Sequence, residues 1–273
     1  MVKRAKTLTI FLVLAGLAVL GALSSSFTYA PFARYAALLQ NFDKESITAE
    51  SYFIYDRNAR REILSRSPDE VRPIASVSKL FTAHVVTRSE RIDDDALIVW
   101  QDFATEGTAG SLWLGEEYTV RELLFPLLLS SSNDAGAAIM RTLGRSYFTD
   151  TLAKIYEDAG LQHTTITDPT GLTAQNRSTA RELARFLEYL DVNDSYVIDI
   201  TTLRSYLGEY RGWINNDPGR KYESFSGGKH GYTPAAGRTF AGLFDTDEGS
   251  YVVVLLGSSD LEGDIDRAVS LLP

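Results

Sequence analysis

A serine and a lysine stand three residues apart at the start of an apolar stretch, in Ser76-Val77-Ser78-Lys79. Residues three apart on a helix share one face, so the two side chains can reach each other. A neutral lysine amine can take the proton of a serine hydroxyl and so create a nucleophile. The first N–H groups of a helix have no acceptor within it, so they can stabilise a developing oxyanion. The pattern predicts Ser76 as a nucleophile and Lys79 as its general base.

A second polar group, Ser131-Ser132-Asn133, lies between two apolar segments. A hydroxyl and an amide two residues apart in a loop can both point into a cleft, where one relays a proton and the other binds a substrate amide. The simpler interpretation is a polar turn in which Ser132 or Asn133 caps the next helix. Taken alone, this group does not decide between the two.

The third group is glycine-rich and contains a lysine and a histidine, in Gly227-Gly228-Lys229-His230-Gly231-Tyr232-Thr233. Glycines allow a backbone to approach a ligand closely, and the lysine places a cation beside a bound anion. Ser226 and Lys229 repeat the S-x-x-K spacing here, but without a helical pattern around them. The simpler interpretation is a bulged edge strand with a solvated lysine.

Together and in this order, the three groups resemble the S-x-x-K, S-x-N and K-T-G triplet of the active-serine penicillin-recognising enzymes. The resemblance is closest to the serine D-alanyl-D-alanine carboxypeptidases, which are low-molecular-weight penicillin-binding proteins, and covers the chain from about residue 50 to its C-terminus. It implies an α+β fold like that of the serine β-lactamases. The stretches that carry it are residues 72–82, 127–135, 168–172, 176–180 and 228–237.

The resemblance implies an acyl-transfer cycle without a metal or other cofactor. Ser76 attacks the carbonyl between the two terminal D-alanines of a peptidoglycan stem peptide, and Lys79 is the general base. Ser131 relays the proton to the leaving nitrogen, and water then hydrolyses the acyl-enzyme. β-Lactams are expected to inhibit by acylating Ser76.

The same resemblance assigns the substrate-binding groups. Asn133 holds the peptide amide, and Lys229 attracts the terminal carboxylate of the substrate. The oxyanion hole consists of the backbone N–H groups of Ser76 and of Tyr232, which follows Gly231 in the third motif.

One residue departs from the family pattern. His230 stands where the family has Thr or Ser, whose hydroxyl helps to bind the substrate carboxylate. An imidazole can donate an N–H to a carboxylate and adds a charge when it is protonated. Arg238 is a candidate for a compensating cation. We therefore expect the activity to depend on pH between about 5 and 8.

Three other functions remain open at this point. His230 is compatible with a catalytically impaired relative that only binds peptidoglycan. A D,D-endopeptidase would cut peptide crosslinks with the same residues. A β-lactamase needs an additional carboxylate base, and the central helices contain no E-x-x-L-N stretch, since Glu182-Leu-Ala-Arg185 does not fit.

The elements that must position these groups follow the order strands, helices, strands. Their β-forming residues and the intervening turn predict a hairpin of residues 51–56 and 61–65, and β-character predicts strands at 239–244 and 251–256. Helical spacing predicts helices at 75–90, 120–129, 135–143, 148–159, 179–190 and 263–272. We expect one α+β domain over residues 51–273, in which both chain ends form an antiparallel sheet packed with helices. An all-helical lobe at about 95–190 is inserted, and a cleft between lobe and sheet is the expected ligand site.

The N-terminus differs in character from the rest of the chain. Three cations within the first six residues precede an apolar run, Leu8–Leu23, as in an export signal. We predict residues 1–30 as a cleaved signal or a retained anchor, with residues 7–27 contacting the membrane, and residues 31–50 as a linker. The body is then expected on the extracytoplasmic side of the membrane.

Charge and cysteine content exclude several classes of function. The 273 residues include 27 Lys and Arg against 36 Asp and Glu, for a net charge of −9. Without the three N-terminal cations, 24 basic residues face 36 acidic ones, so the body carries −12 and is a poor partner for nucleic acid. The chain has no cysteine, so disulfides, thiol nucleophiles and cysteine-based zinc sites are excluded. The three histidines are far apart in sequence, so no zinc site is expected.

Overall fold

The computed structural model describes residues 46–103 and 112–273. The predicted export signal or anchor (residues 1–30), its membrane segment (7–27) and most of the predicted linker (31–45) lie outside the described residues. Within the described ranges, no helix has the length and apolar character needed to span a membrane.

Strands at both ends of the described chain enclose a mainly helical middle part. The strands are β1 (Ser51–Asp56), β2 (Arg61–Arg66), β3 (Arg72–Pro73), β4 (Asp95–Leu97), β5 (Glu117–Thr119), β6 (Arg177–Ser178), β7 (Ser205–Leu207), β8 (Gly212–Ile214), β9 (Phe225–Thr233), β10 (Gly237–Thr246) and β11 (Gly249–Ser258). The α-helices are α1 (Lys79–Thr87), α2 (Leu124–Leu129), α3 (Asn133–Leu143), α4 (Arg145–Asp158), α5 (Ala180–Asn193), α6 (Ser195–Thr202) and α7 (Leu261–Val269). Short 3₁₀ turns occupy Ala75–Ser78, Trp100–Phe103 and Pro218–Lys221.

The main sheet has five strands in the order β2-β1-β11-β10-β9. All neighbours are antiparallel, with Phe53 of β1 opposite Val254 of β11 and His230 of β9 opposite Phe240 of β10. The sheet therefore combines N-terminal and C-terminal strands, as the sequence predicted. The third motif lies on β9, which is an edge strand of this sheet.

Apolar residues on alternate positions give the sheet two buried faces. Val252 and Val254 of β11 belong to the large core shared with the helices of the middle part. Val253 and Leu255 of the same strand belong to a second core, which α7 covers from the opposite side. The arrangement is α+β, with helices on both faces of an antiparallel sheet.

Several predicted helix boundaries are wrong by a few residues. A 3₁₀ turn precedes α1, which ends at Thr87, and residues 120–123 form a turn before α2. The last helix spans Leu261–Val269 rather than 263–272, because the Asp260 carboxylate accepts from Gly263 N at 3.2 Å and caps an earlier start. Helix α6 was not predicted, since its Val, Ile and Thr residues favour a strand.

Two further expectations need correction. The lobe at about 95–190 is not all-helical, because it also contains the β4–β5 pair, whose three-residue strands are too short to show alternation. The end of the predicted linker belongs to the folded body. Ile47 and Ala49 are buried there, and Thr48 Oγ1 donates to the Asp264 carboxylate at 2.7 Å.

Candidate active site

Ser76 and Lys79 lie in direct contact, as the motif spacing predicted. Ser76 is the second residue of the 3₁₀ turn and Lys79 begins α1, so Lys79 Nζ lies within hydrogen-bond distance of Ser76 Oγ, at 3.0 Å. Ala75, the residue before the serine, has a φ of 48°. A non-glycine residue in this left-handed region costs on the order of 1–3 kcal/mol, and such strain is common where a side chain must be presented to a site.

The Lys79 side chain is completely buried. Besides Ser76, it donates to Asn133 Oδ1 at 2.8 Å and to the backbone carbonyl of Thr170. Burial and the neighbouring Lys229 cation lower the pKa of Lys79 well below its ordinary value, and only Asp168 opposes them. The geometry and the electrostatics therefore both favour a neutral amine beside the serine.

A loop at residues 168–171 holds the third partner of Lys79. The Asp168 carboxylate accepts from the backbone N–H groups of Thr170 at 2.7 Å and Gly171 at 2.9 Å and so fixes the turn. A Cβ atom on Gly171 would lie 2.2 Å from the carbonyl oxygen of Ala75, and its φ is 87°. Only glycine lets this loop pack against the turn that carries Ser76. The sequence marked the segment by its resemblance alone, without a role.

The second motif has two different parts. Ser132 is a helix cap, because its Oγ accepts from Ala135 N at 3.0 Å, as in the simpler interpretation. Asn133 is buried and its amide oxygen faces Lys79. Ser131 has a φ of 60°, and within the described ranges its Oγ forms no hydrogen bond. Its role as a proton relay stays a prediction.

Lys229 is almost completely buried on β9, with its Nζ 2.9 Å from the His230 carbonyl oxygen. Burial lowers its pKa to about 8, although the Asp217 carboxylate opposes this shift. At neutral pH Lys229 remains mainly protonated, so it is a buried cation close enough to Lys79 to lower the pKa of that amine.

The backbone of β9 runs directly beside Ser76. A Cβ atom on Gly231 would lie 2.5 Å from Ser76 N, so this close approach requires glycine. On the open edge of the strand, Gly228 N donates to Thr201 Oγ1 at 2.9 Å and His230 N donates to Asp217 Oδ2 at 2.8 Å. Tyr232 is two residues further along, so its N–H faces the same edge.

His230 is paired with a carboxylate that the sequence did not identify. Asp217 Oδ2 lies 3.0 Å from His230 Nδ1, and Asp217 Oδ1 accepts from Gly219 N at 2.8 Å. Burial raises the pKa of Asp217, but the hydrogen bond and charge of His230 outweigh it and hold this pKa below its ordinary value. Burial and the Lys229 cation lower the pKa of His230, with Asp217 opposing them. In sequence, Asp217-Pro218-Gly219 indicates only a turn.

Arg238 lies on β10 beside the strand that carries His230, and its role as a compensating cation stays a prediction. It is opposite Tyr232 in the sheet register, with its guanidinium carbon 5.7 Å from the centre of that ring, and it donates to Ser259 O at 3.4 Å. In the described part of the chain it forms no hydrogen bond to His230 or Lys229. Both Tyr232 and Arg238 line a groove of about 420 Å³ that begins at His230 and Gly231 and reaches Leu261.

The described residues contain no cluster of His, Asp and Glu side chains that could hold a metal ion. Lys79 contacts both Ser76 and Asn133, and the neighbouring strand β9 carries Lys229, His230 and Gly231. The 168–172 stretch, which contains Thr170, was marked by the resemblance without a role, and two further supporting residues, Asp217 and Thr201, were not identified from the sequence. Their contacts link segments distant in sequence, so no local pattern could have identified them.

Comparison with known proteins identifies the relatives of this chain. A model of a family described as D-alanyl-D-alanine carboxypeptidase matches residues 39–260. A D-alanyl-D-alanine endopeptidase of Escherichia coli is 34% identical over 165 residues, which are 58% of this chain and 53% of the relative. A D-alanyl-D-alanine endopeptidase of Pseudomonas aeruginosa is 32% identical over 148 residues, 53% of this chain and 48% of the relative. The chain thus spans about half the length of these curated relatives.

The fold has solved counterparts. The crystal structure of the Streptomyces K15 DD-transpeptidase superposes with a TM-score of 0.76 at 20% identity and covers 83% of this chain and 97% of that one. At this identity the likeness establishes the fold, which is the predicted fold of penicillin-binding proteins. The family match covers most of the chain, including all three motifs. The chain therefore belongs to the D-alanyl-D-alanine carboxypeptidase family.

Proposed function

We propose that this chain is a serine-type D-alanyl-D-alanine carboxypeptidase that trims peptidoglycan stem peptides through an acyl-enzyme on Ser76. The observation that carries the proposal is the set of three partners around Lys79 Nζ: Ser76 Oγ, Asn133 Oδ1 and the Thr170 carbonyl oxygen. Family membership supports the reaction class.

The partners of Lys79 suit a general base. Asn133 Oδ1 and the Thr170 carbonyl oxygen can only accept hydrogen bonds, so they take the two N–H groups of a neutral amine. The nitrogen lone pair then faces Ser76 Oγ and accepts its proton as the oxygen attacks the substrate carbonyl. The ammonium that forms keeps both carbonyl contacts.

The developing oxyanion lies between the nucleophile and β9. Ser76 N–H is at the start of a 3₁₀ turn, and Tyr232 N–H faces the open edge of the strand. Preorganised donors of this kind are worth about 10²–10³ in rate each. Gly231 allows the two segments to approach closely enough for both donors to reach one oxygen.

Collapse of the tetrahedral intermediate breaks the peptide bond and requires a proton on the leaving nitrogen. Ser131 is the candidate relay for the proton that Lys79 took from Ser76. The terminal carboxylate of the leaving D-alanine is attracted by Lys229. Water then attacks the acyl-enzyme and releases the shortened peptide.

A D,D-endopeptidase is the second candidate function. Two relatives that are 32% and 34% identical carry the name D-alanyl-D-alanine endopeptidase. The groove of about 420 Å³ beyond His230 offers room for a substrate that continues past the scissile bond, as a crosslinked peptide does. Both activities use the same acyl-enzyme.

The location of the enzyme is part of the proposal. Peptidoglycan lies outside the cytoplasm, so residues 1–30 act as export signal or anchor, with residues 7–27 in the membrane. Residues 51–273 form the catalytic domain, and β-lactams acylate its Ser76.

The test combines intact mass with product analysis. The protein is incubated with penicillin and, separately, with a pentapeptide stem ending in D-Ala-D-Ala and with a crosslinked dimer. A penicillin adduct on Ser76 with free D-alanine from the pentapeptide supports the carboxypeptidase, and cleavage of the dimer alone supports the endopeptidase. Absence of both the adduct and any cleavage contradicts the proposal.

A further inference from the structure

Asp217 and His230 form a hydrogen-bonded pair at the position where the family has a hydroxyl. Asp217 Oδ2 accepts hydrogen bonds from His230 Nδ1 at 3.0 Å and from His230 N at 2.8 Å. The carboxylate therefore fixes the imidazole relative to the backbone of His230. The other oxygen, Oδ1, is occupied by Gly219 N at 2.8 Å. Asp217 is 7% exposed, so its carboxylate is largely buried at these contacts.

The hydrogen bond between Asp217 and His230 determines which nitrogen of the imidazole is available to contact a substrate. An ionised carboxylate can only accept, so Nδ1 carries a proton whatever the charge of the ring. Nε2 forms no hydrogen bond with any described residue, and His230 lines the groove together with Gly231 and Tyr232. Nε2 is therefore the nitrogen that gains and loses a proton when the imidazole titrates.

The charge state of the ring decides whether it can bind a carboxylate. With Nδ1 protonated, a neutral His230 offers only a lone pair at Nε2, which repels a carboxylate oxygen. The protonated ring offers an Nε2–H and a positive charge. A threonine hydroxyl in the same place donates at every pH.

The charged groups around His230 have opposite effects on the protonation of its imidazole. Lys229 on its own strand and Lys79 on α1 disfavour the protonated ring, and Asp217 favours it. Across the groove stand Arg238 on β10 and the acidic Asp260 and Glu262 at the start of α7. Of all these side chains in the described ranges, Asp217 alone is hydrogen-bonded to the imidazole.

We propose that Asp217 is a positioning residue for His230, which it holds with Nε2 toward the terminal carboxylate of the substrate, so that this chain binds the carboxylate through a protonated Asp–His pair instead of a hydroxyl. This inference rests on the proposed function. Substrate binding then takes up a proton at neutral pH, and KM rises with pH as the imidazole loses its positive charge.

The test measures KM and kcat for D-alanine release between pH 5 and 8. For the unaltered protein, KM is expected to rise about tenfold or more across this range. In His230→Thr this rise disappears. In Asp217→Asn the rise begins at lower pH, and KM near pH 6.5 exceeds that of the unaltered protein about tenfold.

The double variant separates positioning from general structure. If Asp217 acts through His230, then Asp217→Asn changes KM little in the His230→Thr background. Asp266→Asn is the matched control, because that carboxylate bonds Lys221 and Tyr222 rather than His230. An equal KM increase at every pH, persisting in the double variant, overturns the proposal.

A second measurement does not depend on the variants or on activity. Nitrogen-15 NMR of the imidazoles in the unaltered protein should show Nδ1 of His230 protonated throughout and Nε2 titrating. A neutral form protonated on Nε2 overturns the proposal even where Asp217→Asn does not fold. Loss of penicillin acylation and of peptide cleavage at all pH values refutes the proposed function instead, and the NMR result still decides the pairing.

Discussion

Lys79 Nζ lies 3.0 Å from Ser76 Oγ and has two carbonyl-type oxygens as its other partners. Those oxygens come from Asn133 and Thr170, which are far from the first motif in sequence and from each other. Three segments distant in sequence therefore meet at one nitrogen atom. The two oxygens also orient the amine of Lys79. When the amine is neutral, its lone pair points to the Ser76 hydroxyl.

The two S-x-x-K sequences give a matched pair of serine variants. Ser76→Ala removes the nucleophile, so we expect no penicillin adduct by intact mass. Ser226→Ala changes the serine of the second S-x-x-K, whose buried Oγ has no hydrogen-bond partner among the described residues. We expect this variant to be acylated at the rate of the unaltered protein. An adduct on Ser76→Ala would place the nucleophile elsewhere.

The sequence predicted those parts of the fold that have a local pattern. Strands β1 and β11 contain short continuous runs of apolar and aromatic residues, and helices α3 and α5 have apolar residues at helical spacing, so each was expected near its observed position. Helix α6 was missed because its packing against β9 outweighs the strand preference of its side chains. The contact of Ser76 with Lys79 follows from spacing alone.

The supporting residues of the site could not be predicted in the same way. Asp217 precedes His230 by 13 residues, and only the path of the chain through the 3₁₀ turn brings its carboxylate to the imidazole. The Thr170 contact with Lys79 depends on a glycine, Gly171, packed against Ala75. Local patterns predicted the candidate reacting groups Ser76 and Lys79, whereas tertiary packing determines which groups lie around them.

Gly231 is expected to control the reaction rate rather than the fold. In Gly231→Ala the new Cβ lies 2.5 Å from Ser76 N, so β9 and the nucleophile must separate and the oxyanion hole widens. We expect kcat to fall about 10²–10³-fold, the cost of one oxyanion donor. Gly144→Ala is the control, since its Cβ meets nothing within 4 Å but its φ is 88°. It should cost about 1–2 kcal/mol of unfolding free energy without changing kcat.

Titration of Lys229 should produce a second effect on KM, at higher pH than the effect of His230. Its pKa of about 8 means that its positive charge is present below pH 8 and lost as the pH rises further. Attraction of the substrate carboxylate then weakens, so KM should rise between pH 8 and 9.5 by about tenfold. The measurement is best made in His230→Thr, which removes the other titrating carboxylate ligand. A constant KM over this range would show that groups other than Lys229 bind the substrate carboxylate.

Ser131 and Ser132 should respond in opposite ways to substitution. Ser132 Oγ caps α3, so Ser132→Ala is expected to lower the free energy of unfolding by about 0.5–2 kcal/mol. Ser131 has a φ of 60°, a conformation that glycine adopts without strain, so Ser131→Gly should leave stability unchanged or raise it by up to about 1 kcal/mol. If Ser131 relays the proton to the leaving nitrogen, the same variant should lose about 10²–10⁴-fold in D-alanine release. Denaturant unfolding and steady-state kinetics on both variants test this, and a stable Ser131→Gly protein with full activity would show that another group delivers the proton.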